Sequence, residues 1–324
     1  VIKVVKESNI GSDELDRAKE IYKRVVDEIK KVIVDMDDVI EMLFIGLITR
    51  SHILLEGVPG IAKTTLAKTM AKTLNLDFVR IQFTPDLLPA DIIGSYVYSQ
   101  EKDEFYLRKG PIFANLILAD EINRGNPKTQ SALLEAMQER QVTIEGNTLS
   151  LPDPFMVIAT QNPIEMEGTY PLPAAQIDRF MAKVIVEYPD KESTIEILER
   201  YTTGYIGEVE VALSYNDIIE LQNLVLKIHA SQDMIDYVSN IIEVSRRLPQ
   251  IKLGVSPRGG IALLLASKAK ALIEGRDYVI PDDIKKTALH VLNHRIYLTP
   301  DAVFEGITPL DMVKKILDSV EVPT

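Results

Sequence analysis

The sequence contains no cysteine and no tryptophan. The first absence excludes disulfides, thiolate zinc sites and iron–sulfur clusters, and it fits a reducing cytoplasm. The second, with an aromatic content of only 6%, leaves few stacking platforms for single-stranded nucleic acid. No apolar run approaches the roughly 20 residues that span a bilayer. Basic charge is also scarce: 36 Lys and Arg stand against 48 Asp and Glu, a formal net charge of −12. Tight non-specific DNA binding rests on neutralising phosphates, so nucleic acid is not the expected partner, although a local basic patch stays open. The opening Val1-Ile-Lys-Val-Val-Lys-Glu lacks the apolar core of a signal peptide, and a cytoplasmic location is expected. What is present is a hydrophobic content of 46% over 324 residues, enough for one large domain or two ordinary ones.

Residues 13–50 read as helices, because apolar residues recur at helical spacing. Their second run, 39–48, is more apolar and is expected to be buried. From Ser51 the texture changes. His52-Ile-Leu-Leu-Glu is a short strand-like run, Gly57 to Gly60 break it, and 64–74 reads as a helix. Further buried strands are expected at 78–83, 116–119, 155–160 and 182–186. Short apolar runs alternating with helices argue for an α/β fold, a parallel sheet covered on both faces. Two hairpins interrupt the alternation, one over 95–108 with Glu101-Lys-Asp-Glu at its tip, one over 141–151 turning at Gly146-Asn147. After Tyr188-Pro189 the pattern is helical, at 192–201, 215–229, 232–248, 258–273 and 281–296. The expected division is therefore 1–188 and 189–324.

The segment Gly57-Val-Pro-Gly-Ile-Ala-Lys-Thr-Thr lies between the first strand and its helix. It departs from the phosphate-loop pattern at one place, with Ala62 where glycine precedes the lysine. Such a loop works because backbone N–H groups and a helix N-terminus converge on phosphate oxygens. Gly57 and Gly60 would let it turn tightly, Lys63 would reach the β- and γ-phosphates, and Thr64 would ligate Mg²⁺. Ala62 opens the helix, where a negative φ is expected and a methyl group costs little. Downstream, Leu116-Ile-Leu-Ala-Asp-Glu is an apolar strand ending in paired acids. Asp120 would hold Mg²⁺ through water, and Glu121 would orient the attacking water. One strand, 78–83, separates the two motifs in sequence, and an inserted strand of this kind sets Glu121 beside the γ-phosphate. Asn162, in Val157-Ile-Ala-Thr-Gln-Asn-Pro, caps a further strand and could bond the same phosphate. Arg179 and Arg258 complete the set, arginine being the side chain that stabilises charge on a transferring phosphoryl group. Each signal has a plain alternative: a helix start, solvated acids at a strand end, a turn, a surface arginine.

Other signals carry less. His290 and His294 share a helix face but have no third ligand in the pattern, so packing or surface roles are expected. No guanine-reading Asn-Lys-X-Asp follows the loop, and no nucleophile triad stands at strand ends.

In order, GVPGIAKT, TPDLLPADIIG, GPIFANLILADEINR, KTQSALLEAMQER, ATQNP, EGTYPLPAAQIDRF and GVSPRGGIALL resemble the MoxR family of AAA+ ATPases over residues 30–297. The resemblance implies a P-loop AAA+ core, a parallel five-stranded sheet between helices with helix-2 and pre-sensor-1 hairpin inserts, plus an all-helical lid. It implies ATP and Mg²⁺ as ligands. Gly57, Pro59, Gly60, Ile61, Ala62, Lys63, Thr64, Thr65 and Asp120 would surround the nucleotide, with Ile33 and Val34 at the base. Asn162 matches sensor 1 and Arg258 sensor 2. Arg179 matches the arginine finger, with Arg124 as the alternative. Where the family carries Gly-Gln beside the base, this chain has Asp35-Met36. Related AAA+ members carry alanine where Ala62 stands. A ring-like homo-oligomer, a hexamer, and partners bearing von Willebrand A domains are implied, with chaperone-like action. Two other readings stay open: a nucleotide-gated scaffold with little turnover, and a DNA-handling motor. The intact Asp120–Glu121 pair and the acidic hairpin tip speak against them.

Overall fold

Helix α1 (Ser12–Lys30) buries Ala18, Ile21, Val25 and Ile29, a stripe at helical spacing, while α2 (Asp37–Ile48) is buried on nearly every side. The computed structural model describes residues 10–58, 60–163, 168–204 and 207–323. Next come β1 (Ile53–Gly57), α3 (Lys63–Thr73), β2 (Phe78–Gln82), α4 (Pro89–Ile93), the hairpin β3 (Gly94–Ser99) and β4 (Glu104–Lys109), and β5 (Leu116–Asp120). A 3-10 turn at Ile122–Arg124 leads to α5 (Pro127–Glu139), the hairpin β6 (Gln141–Ile144) and β7 (Asn147–Ser150), β8 (Met156–Gln161), α6 (Ala174–Ile177) and β9 (Ala182–Val186).

Five strands form one parallel sheet in the order β2-β5-β8-β1-β9. Alternation along each strand divides the core between the two faces. Leu54, Ile117, Val157 and Ala159 point into a cluster with α5 and the hairpins. Ile53, Leu55, Leu116, Leu118, Met156 and Ile158 point to the other side, into a cluster with α1, α2 and α3. The strand that follows the phosphate loop in sequence, β2, is the sheet edge. The strand wedged between β1 and β5 is β8, which corrects the reading of 78–83 as the inserted strand.

The remainder is helical: α7 (Lys191–Thr202), α8 (Tyr215–Lys227), α9 (Gln232–Arg247), α10 (Pro257–Ile273), α11 (Pro281–Val291), α12 (Pro300–Phe304) and α13 (Pro309–Ser319). A small antiparallel pair, β10 (Ile251–Leu253) and β11 (Tyr297–Leu298), is set among them. Helix α11 ends before residue 296 because the chain turns back to the sheet. There Arg295 donates to the Met181, Phe180 and Asp178 carbonyls and pairs with Asp178 at 2.7 Å. The first two helices join this unit to the sheet: Arg17 pairs with Asp217, and Lys270 with Glu41 at 2.8 Å, over a continuous apolar core.

Both expected hairpins form. In the first, Tyr98 stands opposite Phe105 with ring centroids 5.3 Å apart. In the second, Ile144 pairs with Asn147, so the turn is Glu145-Gly146 rather than Gly146-Asn147. Both turn residues have positive φ, 46° and 84°, which a tight right-twisting hairpin requires; glycine takes the second position.

Candidate nucleotide site

The loops that follow β1, β5 and β8 leave the sheet at the carboxyl ends of its strands, where open α/β sheets bind their ligands. They enclose a cleft of about 400 Å³ lined by Gly60, Ile61, Ala62, Lys63, Thr64, Asp120, Glu121 and Asn162, with Arg80, Thr160 and Gln161. A second, larger chamber of about 520 Å³ shares Gly60, Ile61 and Ala62 with it. Its walls are Ile33, Val34, Asp35, Met36 and Thr65 on one side and Tyr188, Ile197, Leu198 and Tyr201 on the other. One chamber is polar and flanked by a helix N-terminus, the other apolar. A nucleotide needs that pairing for its phosphates and its base. Pro59 lies outside the described residues.

The loop itself corrects one expectation. Ala62 has φ +54° and ψ +18°, left-handed rather than helical. A Cβ in that region crowds the adjacent carbonyl, at a cost of about 1–2 kcal/mol. Gly60 also turns at positive φ, 85°, with open space around it. Gly57 serves differently. A Cβ there would come within 2.5 Å of the Val186 carbonyl, so its missing side chain lets β1 and β9 approach. Lys63 Nζ donates to the Gly57 carbonyl at 2.5 Å. Burial pushes its pKa down, opposed by the carboxylates of Asp120, Glu121 and Glu56.

The paired acids are firmly placed. Asp120 is 8% exposed; its Oδ1 accepts from Thr160 Oγ1 at 2.6 Å, and its Oδ2 from Arg80 Nε and Nη2 at 2.9 and 2.7 Å. Glu121 Oε2 accepts from Gln82 Nε2 at 2.8 Å and from Arg124 Nη1 at 2.9 Å. Arg124, the alternative finger, is thus engaged within its own cleft. Glu121 also has a left-handed backbone, φ +55°, and its N–H donates to Thr160 Oγ1 at 2.9 Å. Strained backbone clusters at functional sites, and Ala62, Glu121 and, beside the base chamber, Asp35 (φ +56°) all show it. The hydroxyl of Thr64 and the carboxylate of Asp120 in one cleft are hard oxygen donors, the set that suits Mg²⁺.

Two predicted residues are not brought to this cleft. Arg179, just after α6, and Arg258, in the first turn of α10, line a separate cavity of about 240 Å³ with Arg50, Arg140 and Arg295. Ser256, the N-cap of α10, donates to Asp178 Oδ2 at 3.3 Å, and Arg295 holds Asp178 Oδ1, which sets the two loops side by side. Neither the Arg179 nor the Arg258 guanidinium has an ion-pair or hydrogen-bond partner among the described residues. Of the histidines questioned above, His294 is buried, its Nε2 3.2 Å from the Phe180 carbonyl. No group of three or more His, Asp or Glu side chains placed to hold a metal ion occurs among the described residues.

Residues 52–182 match the ATPase family associated with various cellular activities (AAA), and 244–316 match the AAA lid domain. The chain is 46% identical to the protein YeaC of Bacillus subtilis, over 93% of this chain and 94% of that one. It is 42% identical to Chaperone MoxR1 of Mycobacterium tuberculosis, over 97% and 85%, and 31% identical to Protein MoxR of Methylorubrum extorquens, over 91% and 93%. The chain belongs to the MoxR-type AAA+ ATPases. A crystal structure from Cytophaga hutchinsonii agrees, with a TM-score of 0.90, 45% identity and coverage of 96% of this chain and 98% of that one. Within a MoxR-type fold, the sequence missed Arg80, Gln82 and Thr160. Arg80 and Gln82 alternate with apolar neighbours on β2 and carry no motif, and Thr160 stands in ATQNP, where attention fell on Asn162; only the pairing of β2 and β8 with β5 brings them to the acids.

Proposed function

We propose that this chain binds Mg·ATP across the two chambers and hydrolyses it, as a cytoplasmic ring-like homo-oligomer, a hexamer, that remodels protein partners. The carrying observation is the convergence of Lys63, Thr64, Asp120, Glu121 and Asn162 on one cleft from the ends of adjacent strands. On this reading 1–188 is the nucleotide-binding domain and 189–324 the lid. The base packs in the apolar chamber against Ile33 and Val34. Lys63 and the N–H groups from Gly60 to Thr65 hold the phosphates.

Thr64 and Asp120 would hold Mg²⁺, which when bound offsets phosphate charge. Phosphoryl transfer needs little covalent help, so catalysis is positioning and charge stabilisation. Glu121, aimed by Gln82 and Arg124, polarises the water, and Asn162 bonds the phosphate or that water. Arg179 and Arg258 line a cavity separate from the cleft. In a ring, a second copy can present both to the neighbour's phosphates, which makes the assembly the active unit. The relative named Chaperone MoxR1 supports action on protein partners. The resemblance adds von Willebrand A-domain proteins as their class.

The test is Glu121→Gln, which keeps shape and removes charge. ATP affinity should hold while turnover falls by orders of magnitude, and the trapped complex should retain a partner in a pull-down. Wild-type turnover no faster than that of the variant would favour the scaffold reading.

A further inference from the structure

Each carboxylate of the cleft has a cationic partner in the same chain. Two carboxylates, Asp120 and Glu121, face the place where a polyanion is to sit, and each is matched by an arginine of the same chain. The Glu121 match, Arg124, lies three residues along the chain. The Asp120 match comes from another strand. Arg80 stands on β2, in the row that pairs with Leu118 of β5, and its side chain runs along the sheet to the strand end. Two of its nitrogens, Nε and Nη2, close on one oxygen, Asp120 Oδ2, and Gln82 Oε1 steadies the same guanidinium. The other oxygen accepts one hydrogen bond, from Thr160. Lys63, the other cation of the cleft, is bonded to the Gly57 carbonyl instead.

A divalent cation held by Thr64 and Asp120, directly or through water, draws on the same carboxylate charge, and it reaches Asp120 Oδ2, which already accepts two Arg80 N–H groups, only where Arg80 gives way. The arginine is free to leave: its side chain is 47% exposed, whereas that of Asp120 is 11% exposed. Resting on the nucleotide-site reading, we infer that Arg80 is a resident counter-ion for Asp120. It neutralises and aims the carboxylate where no metal is bound, and it yields Oδ2 to a metal that takes that oxygen. Two opposed consequences follow. Arg80 raises the Mg²⁺ concentration the site needs, because the metal competes with a charge-assisted pair. It also supports nucleotide binding without metal, because it keeps Asp120 from repelling the phosphates.

The experiment is binding of a fluorescent N-methylanthraniloyl-ADP to the full chain, titrated with Mg²⁺ and repeated in EDTA. In Arg80→Gln the half-saturating Mg²⁺ should fall by about tenfold, the scale of one charge-assisted hydrogen bond lost from a buried carboxylate. Affinity in EDTA should fall in the same variant. Arg80→Lys keeps the charge and loses the two-nitrogen grip. Its Mg²⁺ requirement should fall by a smaller factor, with EDTA affinity near wild type. A role in folding alone would move both affinities together. Half-saturating Mg²⁺ that is unchanged or raised in both variants overturns the inference. A wild-type chain that binds no nucleotide would instead overturn the underlying reading, so the two failures are distinct.

Discussion

Replacing Ala62 with glycine measures the backbone of the phosphate loop directly. Ala62 precedes α3 at φ +54°, ψ +18°. The left-handed region costs an L-residue about 1–2 kcal/mol, which glycine does not pay. Glycine also loosens the unfolded chain, which takes back about 0.4–1 kcal/mol. The expected result is a net gain of about 0.5–1 kcal/mol for Ala62→Gly. A right-handed helix start reverses the sign, since Ala→Gly inside a helix costs about 1 kcal/mol. Urea unfolding of the nucleotide-free protein reads the difference as a shift of midpoint at unchanged slope. A second arm sharpens it: Ala62→Val places a β-branched residue at positive φ and should destabilise clearly. A midpoint moved to lower urea by glycine, with valine harmless, would refute the left-handed loop.

Removing the loop's cation gives a second expectation: Lys63→Ala should abolish or strongly weaken Mg·ATP binding by calorimetry, and wild-type affinity would remove the phosphate-loop reading. A third concerns pH. His52 is buried with Nδ1 accepting from the Val157 N–H at 2.9 Å and Nε2 3.0 Å from the Met137 carbonyl, a pattern only the neutral ring satisfies. Burial, aided by the charge of Arg140, pushes its pKa down to about 4. Burial also pushes His294 well below the usual histidine range. Between about pH 6.5 and the folded value, the unfolded chain binds more protons, so stability falls as pH drops through that window. His52 alone contributes about 1.4 kcal/mol per pH unit there. Denaturation midpoints at pH 7.5 and 5 should show the decline. His52→Gln, which keeps a donor and an acceptor without titrating, should flatten it; an equal decline in the variant would discount His52.

The sheet was legible because strands buried on both faces read as short apolar runs, as in Leu116-Ile-Leu-Ala, closed by glycine or acids. The acids and the lysine were legible because their motifs sit at strand ends, where the fold gathers them. Torsion angles were not. Ala62 and Glu145 both take positive φ, a choice made by loop closure and not by residue type. Helix α11 stopped early because Arg295 finds the sheet, a tertiary contact that periodicity cannot register. Arg80 was silent for the same reason: on an edge strand it reads as a solvated residue until β5 is laid beside it. The separation of Arg179 and Arg258 from the cleft was equally hidden. The cavity they share joins segments far apart in the chain, set side by side where Ser256 meets Asp178.

Mixing two inactive variants tests the shared-site account most directly. Arg179→Ala keeps an intact phosphate loop and should bind ATP yet barely hydrolyse it, since a finger arginine is worth about 10³-fold or more in rate. Lys63→Ala keeps an intact arginine. If the site is built across an interface, co-assembled rings contain junctions that pair a good loop with a good arginine. Phosphate release should then recover to a fraction of wild type that depends on the mixing ratio, and wild-type specific activity should rise with protein concentration. Co-assembled variants that release no more phosphate than either alone would contradict a neighbour-supplied Arg179, as would full wild-type turnover by a proven monomer.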